Sequence, residues 1–253
     1  MTSNGDPLRA IVHASFVTSS PLERYRPRPS RRATHGALTL ITDGDVGPDF
    51  NRVIVFGPTP PDQIFAVADP FFGDPSDYSI VVEAETAPAV ENALRAWGWQ
   101  PEEEPALALS PLPPAPPPTP PELVIRPVVD AEGFAAFRRV SATPSVFLPS
   151  LAAALDPAVA LCVGYVAGRP VASSRLVCLG TIAELTGIVV TPAARRRGYG
   201  TALTWAAITA ARARGCTAAT LTATEMGYPV YIRMGFRPAG VYRTYLPPRQ
   251  APN

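Results

Sequence analysis

Apolar runs in the second half of the chain alternate with polar turns in a pattern that predicts an α/β fold with a mixed (α+β) sheet and helices on both faces. Runs rich in β-branched residues predict strands, and apolar residues at helical spacing, such as Phe134, Phe137 and Val140, predict helices. The last element is either one bent strand or a hairpin. The predicted order is strand, helix, helix, three strands, helix, strand, helix and strand, over residues 123–129, 130–138, 145–155, 159–166, 171–178, 182–190, 201–214, 218–223, 228–234 and 236–246.

The first half of the chain shows a weaker version of this pattern. Strands are predicted at 37–41, 52–56, 78–83 and 106–109, and helices at 61–71 and 87–96. A strand, a short helix and the run Ala96–Trp99 (AWGW) resemble the later strand, short helix and run Arg233–Phe236 (RMGF). In both runs an aromatic residue follows the glycine that ends the helix. We therefore expect a diverged tandem copy in the first half.

Between the two halves lies a proline-rich segment, Ser110–Glu122 (SPLPPAPPPTPPE). This density of proline is incompatible with a helix or a sheet, and it favours extended polyproline II structure. We expect a semi-rigid linker, with a proline-rich ligand for another protein as the alternative. The predicted domains are residues 1–109, a linker over 110–122, and residues 123–253.

Composition excludes several classes of function. The chain has 253 residues, 47% of them apolar, and a net charge of +1, so no global basic field predicts nucleic-acid binding. Five arginines in the run PLERYRPRPSRR (residues 21–32) are expected to lie on an exposed, mobile segment without a function. No apolar run approaches the length of a membrane span, and the first sixteen residues lack the apolar core of a signal peptide. We expect a cytoplasmic protein that binds neither membranes nor nucleic acid.

The cysteines and histidines predict no metal site. Cys162, Cys178 and Cys216 are widely spaced, which is typical of buried thiols in a reducing compartment. His13 and His35 are the only histidines, so a structural zinc site and a Cys–His nucleophile pair are both disfavoured.

The most informative segment is the turn that follows the strand ending at Val190. Three arginines precede Gly198 and Gly200, and a helical segment begins at about Thr201. A helix N-terminus presents unpaired N–H groups, glycine allows close approach of the main chain, and arginine adds charged donors. The sequence R-R-R-G-Y-G therefore predicts a phosphate-binding turn, which the first half of the chain lacks.

A second motif, Pro229–Phe236 (PVYIRMGF), lies downstream. With both motifs, residues 123–246 resemble the GNAT superfamily of acyl-CoA-dependent N-acetyltransferases, in which the turn reads [R/Q]-x-x-G-x-[G/A] and the later element resembles L-Y-x-K-x-G-F. The resemblance implies a GNAT-type acyl-CoA domain in the second half. The first half would then be a second α/β domain, interpreted as a degenerate GNAT-like copy without the phosphate turn.

The resemblance also implies roles for individual residues. Glu184, eleven positions before Arg195, corresponds to the general base of several members, and Tyr231 to a tyrosine that protonates the departing thiolate. Ile188, Val189 and Val190 would pair with the pantetheine arm of the cosubstrate, acetyl-CoA. The pyrophosphate would be held by the turn residues Arg195, Arg196, Arg197, Gly198, Tyr199, Gly200 and Thr201.

Several of these roles have alternatives. Tyr231 could pack against the sheet, Glu184 could be a paired surface charge, and Glu225 is a rival base. Tyr199 could shield the phosphates or stack on a neighbour. Many family members have asparagine seven positions before the tyrosine, where this chain has Thr224. A hydroxyl group reproduces only part of the hydrogen bonding of an amide.

The chemistry that the resemblance implies is direct transfer of an acetyl group to an amine, without a nucleophilic cysteine. An ammonium group must lose a proton before it can attack, a backbone N–H of Val189 or Val190 would stabilise the oxyanion, and the thiolate needs a proton. The expected acceptor is a primary amine of a small molecule, or else of a peptide or protein. The alternatives are a sensor that binds acyl-CoA without turnover, and nucleic-acid binding through the arginines. Oligomeric state stays open, with a homodimer as one option.

Overall fold

The computed structural model describes residues 6–43, 47–73, 78–84, 86–141, 148 and 150–248. The α-helices of these residues are α1 (Pro7–Val17), α2 (Pro61–Phe72), α3 (Pro88–Ala96), α4 (Ala131–Val140), α5 (Leu151–Ala154), α6 (Tyr199–Ala213) and α7 (Tyr228–Arg233). The strands are β1 (Arg31–His35), β2 (Leu38–Thr42), β3 (Asn51–Val55), β4 (Ser79–Glu83), β5 (Gln100–Leu109), β6 (Val124–Pro127), β7 (Val159–Val166), β8 (Arg169–Leu179), β9 (Ile182–Val190), β10 (Ala218–Thr222) and β11 (Arg237–Leu246).

The chain forms two compact units, and neither is a single stretch of sequence. The larger unit comprises residues 1–25 and 107–238, and the smaller unit comprises residues 26–106 and 239–253. These boundaries differ from the predicted segments 1–109, 110–122 and 123–253. The difference arises because α1 packs against β9 and β10 of the larger unit, while most of β11 completes the sheet of the smaller one.

The larger unit is built on the strand order β10-β9-β8-β7-β6. Pairing is antiparallel except between β9 and β10, which are parallel and are connected by α6. Side chains alternate between the two faces of a strand. Leu176 of β8 therefore packs in the cluster that contains α6, whereas Val177 packs in the cluster that contains α4. The predicted order of elements in the second half of the chain is confirmed.

The smaller unit has the strand order β1-β2-β3-β4-β11. β3 and β4 are parallel and are connected by α2, which repeats the arrangement of β9, α6 and β10. Its apolar core lies between the sheet and the helices α2 and α3, and Trp99 and Tyr245 are buried in it.

The similarity between the runs Ala96–Trp99 and Arg233–Phe236 includes their backbone geometry. Gly98 and Gly235 both have positive φ, +84° and +95°. The N–H of Trp99 donates to the carbonyl of Leu94, and the N–H of Phe236 donates to the carbonyl of Tyr231, at 3.0 and 3.1 Å. The two runs therefore fold alike, and Leu94 occupies the position in the first half that Tyr231 occupies in the second.

Two elements near the N-terminus were not expected from the sequence. α1 begins after Asp6, whose side chain accepts a hydrogen bond from the N–H of Leu8 at 3.0 Å. β1 pairs with β2 through a turn at Gly36, although its sequence RRATH lacks an apolar alternation.

The prediction of a mobile arginine segment is wrong for most of its length. Pro21–Tyr25 form a 3-10 helix, and β1 begins at Arg31. The guanidinium group of Arg31 lies 4.6 Å from the ring centroid of Phe71 and donates to the Phe71 carbonyl at 2.6 Å. Contact with an aromatic face orders an arginine that charge alone would leave in solvent.

Two other predicted elements differ in extent. Of the predicted helix 145–155, residues 145–147 and 149 lie outside the described residues, and α5 covers only Leu151–Ala154. Strand β5 begins six residues before the predicted start, because its first half is polar and carries no apolar signal.

The proline-rich segment contains no helix or strand, as predicted, but it belongs to the larger unit instead of separating two domains. The N–H of Leu112 donates to the carbonyl of Thr217 at 3.2 Å, and the guanidinium group of Arg212 donates to the carbonyl of Pro114. These hydrogen bonds hold the segment against the unit.

A buried charge network fixes β11 in the smaller unit. Glu91 of α3 is 5% exposed and accepts hydrogen bonds from Arg243 at 2.7 Å and from the hydroxyl of Tyr245 at 2.9 Å. Arg243 also donates to Glu103 at 2.7 Å. Burial, followed by the hydrogen bond to Glu91, raises the pKa of Tyr245 to about 12.

We predict that Arg243→Met destabilises the protein by about 2 kcal/mol, because the buried carboxylate of Glu91 loses its hydrogen-bonded cation and keeps, among the described residues, only the cation of Arg95, at 3.7 Å. Tyr245→Phe should cost only about 1 kcal/mol, the typical worth of one hydrogen bond. Equilibrium urea unfolding measures both. Arg237→Met, which changes an exposed arginine at the start of the same strand, is the control, and an equal loss in both arginine variants would contradict the role of the network.

Candidate active site

The parallel ladder between β9 and β10 is short. It joins three residue pairs and ends at Glu184 and Thr220, whereas β9 continues to Val190 in contact with β8. Among the described residues, the edge of β9 that faces β10 is therefore unpaired from Leu185 onward. An open strand edge offers main-chain hydrogen bonds to an extended ligand.

A β-bulge interrupts β9 within this open stretch. The register with β8 shifts between Thr186 and Val189, and Gly187 has a φ of +57°. As a result Leu185 and Ile188, three positions apart, both contact the cluster on the α6 side of the sheet. The bulge therefore turns the main chain of the predicted residues 188–190 just before the turn that leads to α6.

The turn after β9 has the conformation of an anion cradle. Residues Pro192–Ala194 form a 3-10 turn, Arg196 has a φ of +60°, and Gly198, with a φ of +78°, is the N-cap of α6. The N–H groups of Tyr199, Gly200 and Thr201 lie in the first turn of α6 and have no acceptor within the helix. The first turn contains no acidic residue, so the positive end of the helix is unopposed there.

The three arginines of the turn are exposed, and each has a different environment. Arg195 donates from Nε to the carbonyl of Val190 at 3.2 Å, which ties the turn to the end of β9. Arg197 lies near the Tyr199 hydroxyl and the Glu122 carboxylate, and its positive charge acts to lower the pKa of both groups. Arg196 has no hydrogen bond or ion pair to another described side chain, so its guanidinium group is available to an anion.

The side chain of Tyr199 is not available to a phosphate. It is 1% exposed within a cluster that contains Leu123 and Leu203, and its hydroxyl donates to Glu122 Oε1 at 2.7 Å. That hydrogen bond is the largest of several influences that hold the pKa of Glu122 below its usual value, and it also raises the pKa of Tyr199. This position is incompatible with a side chain that shields the phosphates, but it leaves the backbone N–H of Tyr199 at the cradle and is in keeping with packing on a neighbour.

Tyr231 lies on α7 beside the same cluster as Ile188. Its ring is 5.8 Å from the ring of Phe236 and in contact with Gly227, where a Cβ atom would come within 2.9 Å of Tyr231 Cε2. Its hydroxyl makes no hydrogen bond to another described residue, and burial raises the pKa of the phenol. The phenol is therefore held in place by packing and keeps its proton at neutral pH.

Glu184 is half-buried on the opposite face of β9. Its neighbours Ala183 and Leu185 pack on the α6 side, so alternation directs Glu184 to the side of α1 and α4. The same face carries Thr186, whose hydroxyl accepts a hydrogen bond from Arg175 Nε at 2.7 Å. Among the described residues, Glu184 has no hydrogen bond or ion pair from its side chain.

The alternative base, Glu225, is exposed in the turn after β10. Thr224, the position at which the resemblance predicts asparagine, hydrogen-bonds within its own turn. Its carbonyl accepts hydrogen bonds from Gly227 and Tyr228 at 3.0 and 2.9 Å, and its Oγ1 accepts from the N–H of Gly227 at 3.3 Å. Thr224 thus caps the start of α7, the helix that carries Tyr231.

Other residues beside the turn were not singled out from the sequence. Trp205 lies one helical turn after Thr201, on the same face of α6, and Arg233 projects from α7. Both line a cavity of about 530 Å³ together with Thr201 and the proline-rich segment. Helical spacing from Thr201 could have identified Trp205, and a glycine within a predicted strand could have identified the bulge at Gly187.

The described residues contain no group of three or more His, Cys, Asp or Glu side chains that could hold a metal ion. None of the described helices combines the length and the apolarity that a membrane span requires.

Comparison with known proteins agrees with this geometry. Residues 126–236 match the model of the Acetyltransferase (GNAT) family. The sequence matches none of the curated proteins with which it was compared. Among solved structures, a GCN5-related N-acetyltransferase from Kribbella flavida is similar over 97% of both chains, with 19% identity and a TM-score of 0.73.

Two further structures share the fold. A GCN5-related N-acetyltransferase from Sphaerobacter thermophilus has 16% identity and a TM-score of 0.61, covering 85% of this chain and 82% of its own. A tandem GNAT protein from the clavulanic acid biosynthesis pathway has 14% identity and a TM-score of 0.57, covering 99% of this chain and 98% of its own. The family match and the shared fold support one conclusion: residues 126–236 form an acetyltransferase domain of the GNAT family, and the protein is an acyltransferase.

Proposed function

We propose that the larger unit transfers an acetyl group from acetyl-CoA to a primary amine of a small molecule. One observation carries the proposal: the open edge of β9 leads without a break into the anion cradle at Gly198, and Tyr231 packs against the same apolar cluster as Ile188 of β9. An extended thioester with a diphosphate at its far end matches this arrangement of strand edge, cradle and phenol.

In the proposed binding mode, the pantetheine arm pairs with the open edge at residues 188–190. The diphosphate accepts hydrogen bonds from the N–H groups that begin α6, and Arg196 adds charge-assisted donors. The curve of the bulged strand near Val189 and Val190 would direct a backbone N–H at the carbonyl oxygen of the thioester. That donor would stabilise the negative charge that develops on the oxygen during attack.

In the proposed reaction, Glu184 takes a proton from the ammonium group of the acceptor, directly or through water, and the free amine attacks the thioester carbon. The C–N bond forms, the C–S bond breaks, and Tyr231 gives its proton to the departing thiolate. The nitrogen then releases its second proton to give the amide, and that proton returns through water to the phenolate of Tyr231. Glu184 and Tyr231 belong to opposite faces of the sheet, and the gap between β9 and β10 is the route that joins them.

The smaller unit is not proposed as a second catalytic centre. The segment between β3 and α2 has the sequence FGPTP, without the arginines of the cradle, and Leu94 replaces the tyrosine. We also propose that the protein is cytoplasmic, in keeping with the free thiols of Cys162, Cys178 and Cys216. Partners other than the amine and acetyl-CoA are not part of the proposal.

Gly198→Val should weaken binding of CoA at least tenfold, because a branched side chain would enter the cradle and strain a residue with positive φ. Gly168→Val is the matched control: Gly168 has a φ of +75° in the turn between β7 and β8, and a Cβ added there would meet no described atom within 4 Å beyond its chain neighbours. Both variants carry a backbone cost of about 1–2 kcal/mol. Calorimetric titration with CoA measures the affinity, and equal affinity in both variants would contradict the cradle.

The proposed reaction predicts that a panel of small primary amines contains an acceptor that releases CoA from acetyl-CoA. With that acceptor, Tyr231→Phe should lower kcat about 100-fold or more and leave the affinity for CoA unchanged. Tight binding of acetyl-CoA without any acceptor would indicate a sensor instead.

Because burial raises the pKa of Tyr231, loss of activity through its ionisation should begin only above about pH 10.

Glu184→Gln should lower kcat/KM and should also change its dependence on pH. Without an internal base, only amine that is already deprotonated can react, so the rate should increase about tenfold per pH unit until the amine has titrated. Glu225→Gln is the control for the rival base. A wild-type profile in Glu184→Gln, together with a changed profile in Glu225→Gln, would transfer the role to Glu225.

A further inference from the structure

We infer that the proline-rich segment forms the outer wall of the acyl-CoA site, and that the nucleotide end of acyl-CoA lies between this segment, Trp205 and Arg233. The inference rests on the proposed function, since it concerns the same ligand. Residues 114–120 are called the proline strap below.

The proline strap runs along α6 and is attached near both ends of that helix. At one end the carbonyl of Pro114 accepts a hydrogen bond from Arg212. At the other end Pro120 Cγ lies 3.6 Å from the position of a Cβ on Gly198, and Glu122 accepts the hydrogen bond of Tyr199. The strap therefore ends beside the cradle that is proposed to hold the diphosphate.

The ideal lengths of the two segments are similar. Fourteen residue steps from Gly198 to Arg212 span about 21 Å of α-helix. Six steps from Pro114 to Pro120 would span about 19 Å in the polyproline II conformation that the prolines favour. An extended segment of this length reaches from one attachment to the other along α6. Residues 115–119 are exposed, and two cavities lie beside them.

One of these cavities, of about 530 Å³, has the surfaces that a purine nucleotide requires. The indole of Trp205 is flat and aromatic, and the rings of Pro116 and Pro117 add apolar surface. Stacking on an aromatic side chain holds a base without hydrogen bonds to its edges. The cavity also includes Thr201, which lies in the first turn of α6, so it is continuous with the cradle.

The charge of this cavity is complementary to a phosphate. Among the described residues that line it, Arg233 is the one that carries a charge, and no acidic side chain is present. Arg233 is exposed and has no hydrogen bond or ion pair to another described residue. Its guanidinium group is therefore free to bind the phosphate on the ribose 3′-oxygen of CoA.

The second cavity, of about 430 Å³, shares Pro116, Pro117, Thr201 and Trp205 with the first and also includes Gly198, so the two cavities are distinguished by their charge and therefore by the Arg233→Gln variant. The lining of the second cavity includes Ile125, Pro127 and Cys162, and none of the described residues around it carries a charged side chain. Burial raises the pKa of the Cys162 thiol to about 11, so the thiol stays neutral there. A ligand end that carries phosphate groups is accordingly assigned to the cavity that contains Arg233.

The test compares three ligands by calorimetric titration of the full-length protein: CoA, 3′-dephospho-CoA and 4′-phosphopantetheine. Trp205→Ala should weaken binding of CoA and of dephospho-CoA about tenfold and leave the affinity for phosphopantetheine unchanged. The double variant Pro116→Gly/Pro117→Gly should show the same selectivity. Arg233→Gln should weaken CoA about tenfold and leave dephospho-CoA unchanged.

Two matched controls come from the same unit. Pro121→Gly changes an exposed proline that lines neither cavity, and Arg169→Gln changes an exposed arginine in the turn between β7 and β8. Both should bind CoA within about twofold of the wild type, because neither side chain belongs to the site. The phosphopantetheine titration also reports folding, because a misfolded variant would lose affinity for every ligand.

The outcomes separate the two proposals. Wild-type protein that fails to bind CoA would overturn the proposed function and this inference with it. Wild-type protein that binds CoA, together with Trp205→Ala and Pro116→Gly/Pro117→Gly variants of unchanged affinity, would overturn the inference alone. An unchanged preference for CoA over dephospho-CoA in Arg233→Gln would overturn the assignment of the 3′-phosphate.

Discussion

The proposed ligand site of the larger unit depends on one constraint: β9 pairs with β10 over fewer residues than it pairs with β8. β9 is paired with β8 from Ile182 to Val190, but its parallel ladder with β10 stops after Glu184 and Thr220. Main-chain groups in a sheet are normally paired, since an unpaired group that is shielded from water costs free energy. The free edge from Leu185 onward can therefore gain main-chain hydrogen bonds from a ligand that binds as a strand does.

The bulge, the turn and the start of α6 determine the course of the main chain beyond this edge. The bulge at Gly187 changes which side chains of β9 face α6, and Arg195 ties the following turn back to the carbonyl of Val190. Gly198 then begins α6 in a conformation that other residues rarely adopt. Strand edge, turn and helix end thus follow one another directly along the chain. The position of Tyr231 is fixed by its packing against Phe236 and Gly227.

Much of the larger unit could be predicted from the sequence because its signals are local. Strands β7 and β9 have the predicted bounds, and Asp130 caps α4 through a 2.8 Å hydrogen bond from the N–H of Gly133. Periodicity, turn glycines and capping residues all act over a few positions. The cradle motif is equally local, so its place between β9 and α6 followed from the residues themselves.

The rest depends on contacts between distant residues. Glu91 and Arg243 are 152 positions apart, and nothing near either residue indicates the other. Composition predicted that the proline-rich segment is extended, but composition does not reveal that the segment lies along α6. The polar strand β1 was missed for a similar reason, because its order comes from pairing with β2 and from the contact of Arg31 with Phe71.

The assignment of β11 to the sheet of the smaller unit has a consequence for biosynthesis. Residues 26–106, which include β4 and its partner β3, are made early, yet β4 acquires its second partner strand only when residues 242–245 have left the ribosome. The nascent polypeptide must therefore keep the edge of β4 uncovered while the intervening residues 107–238 are translated. An uncovered strand edge invites association with other chains, so this stage of synthesis is the one at which a chaperone would protect the protein most.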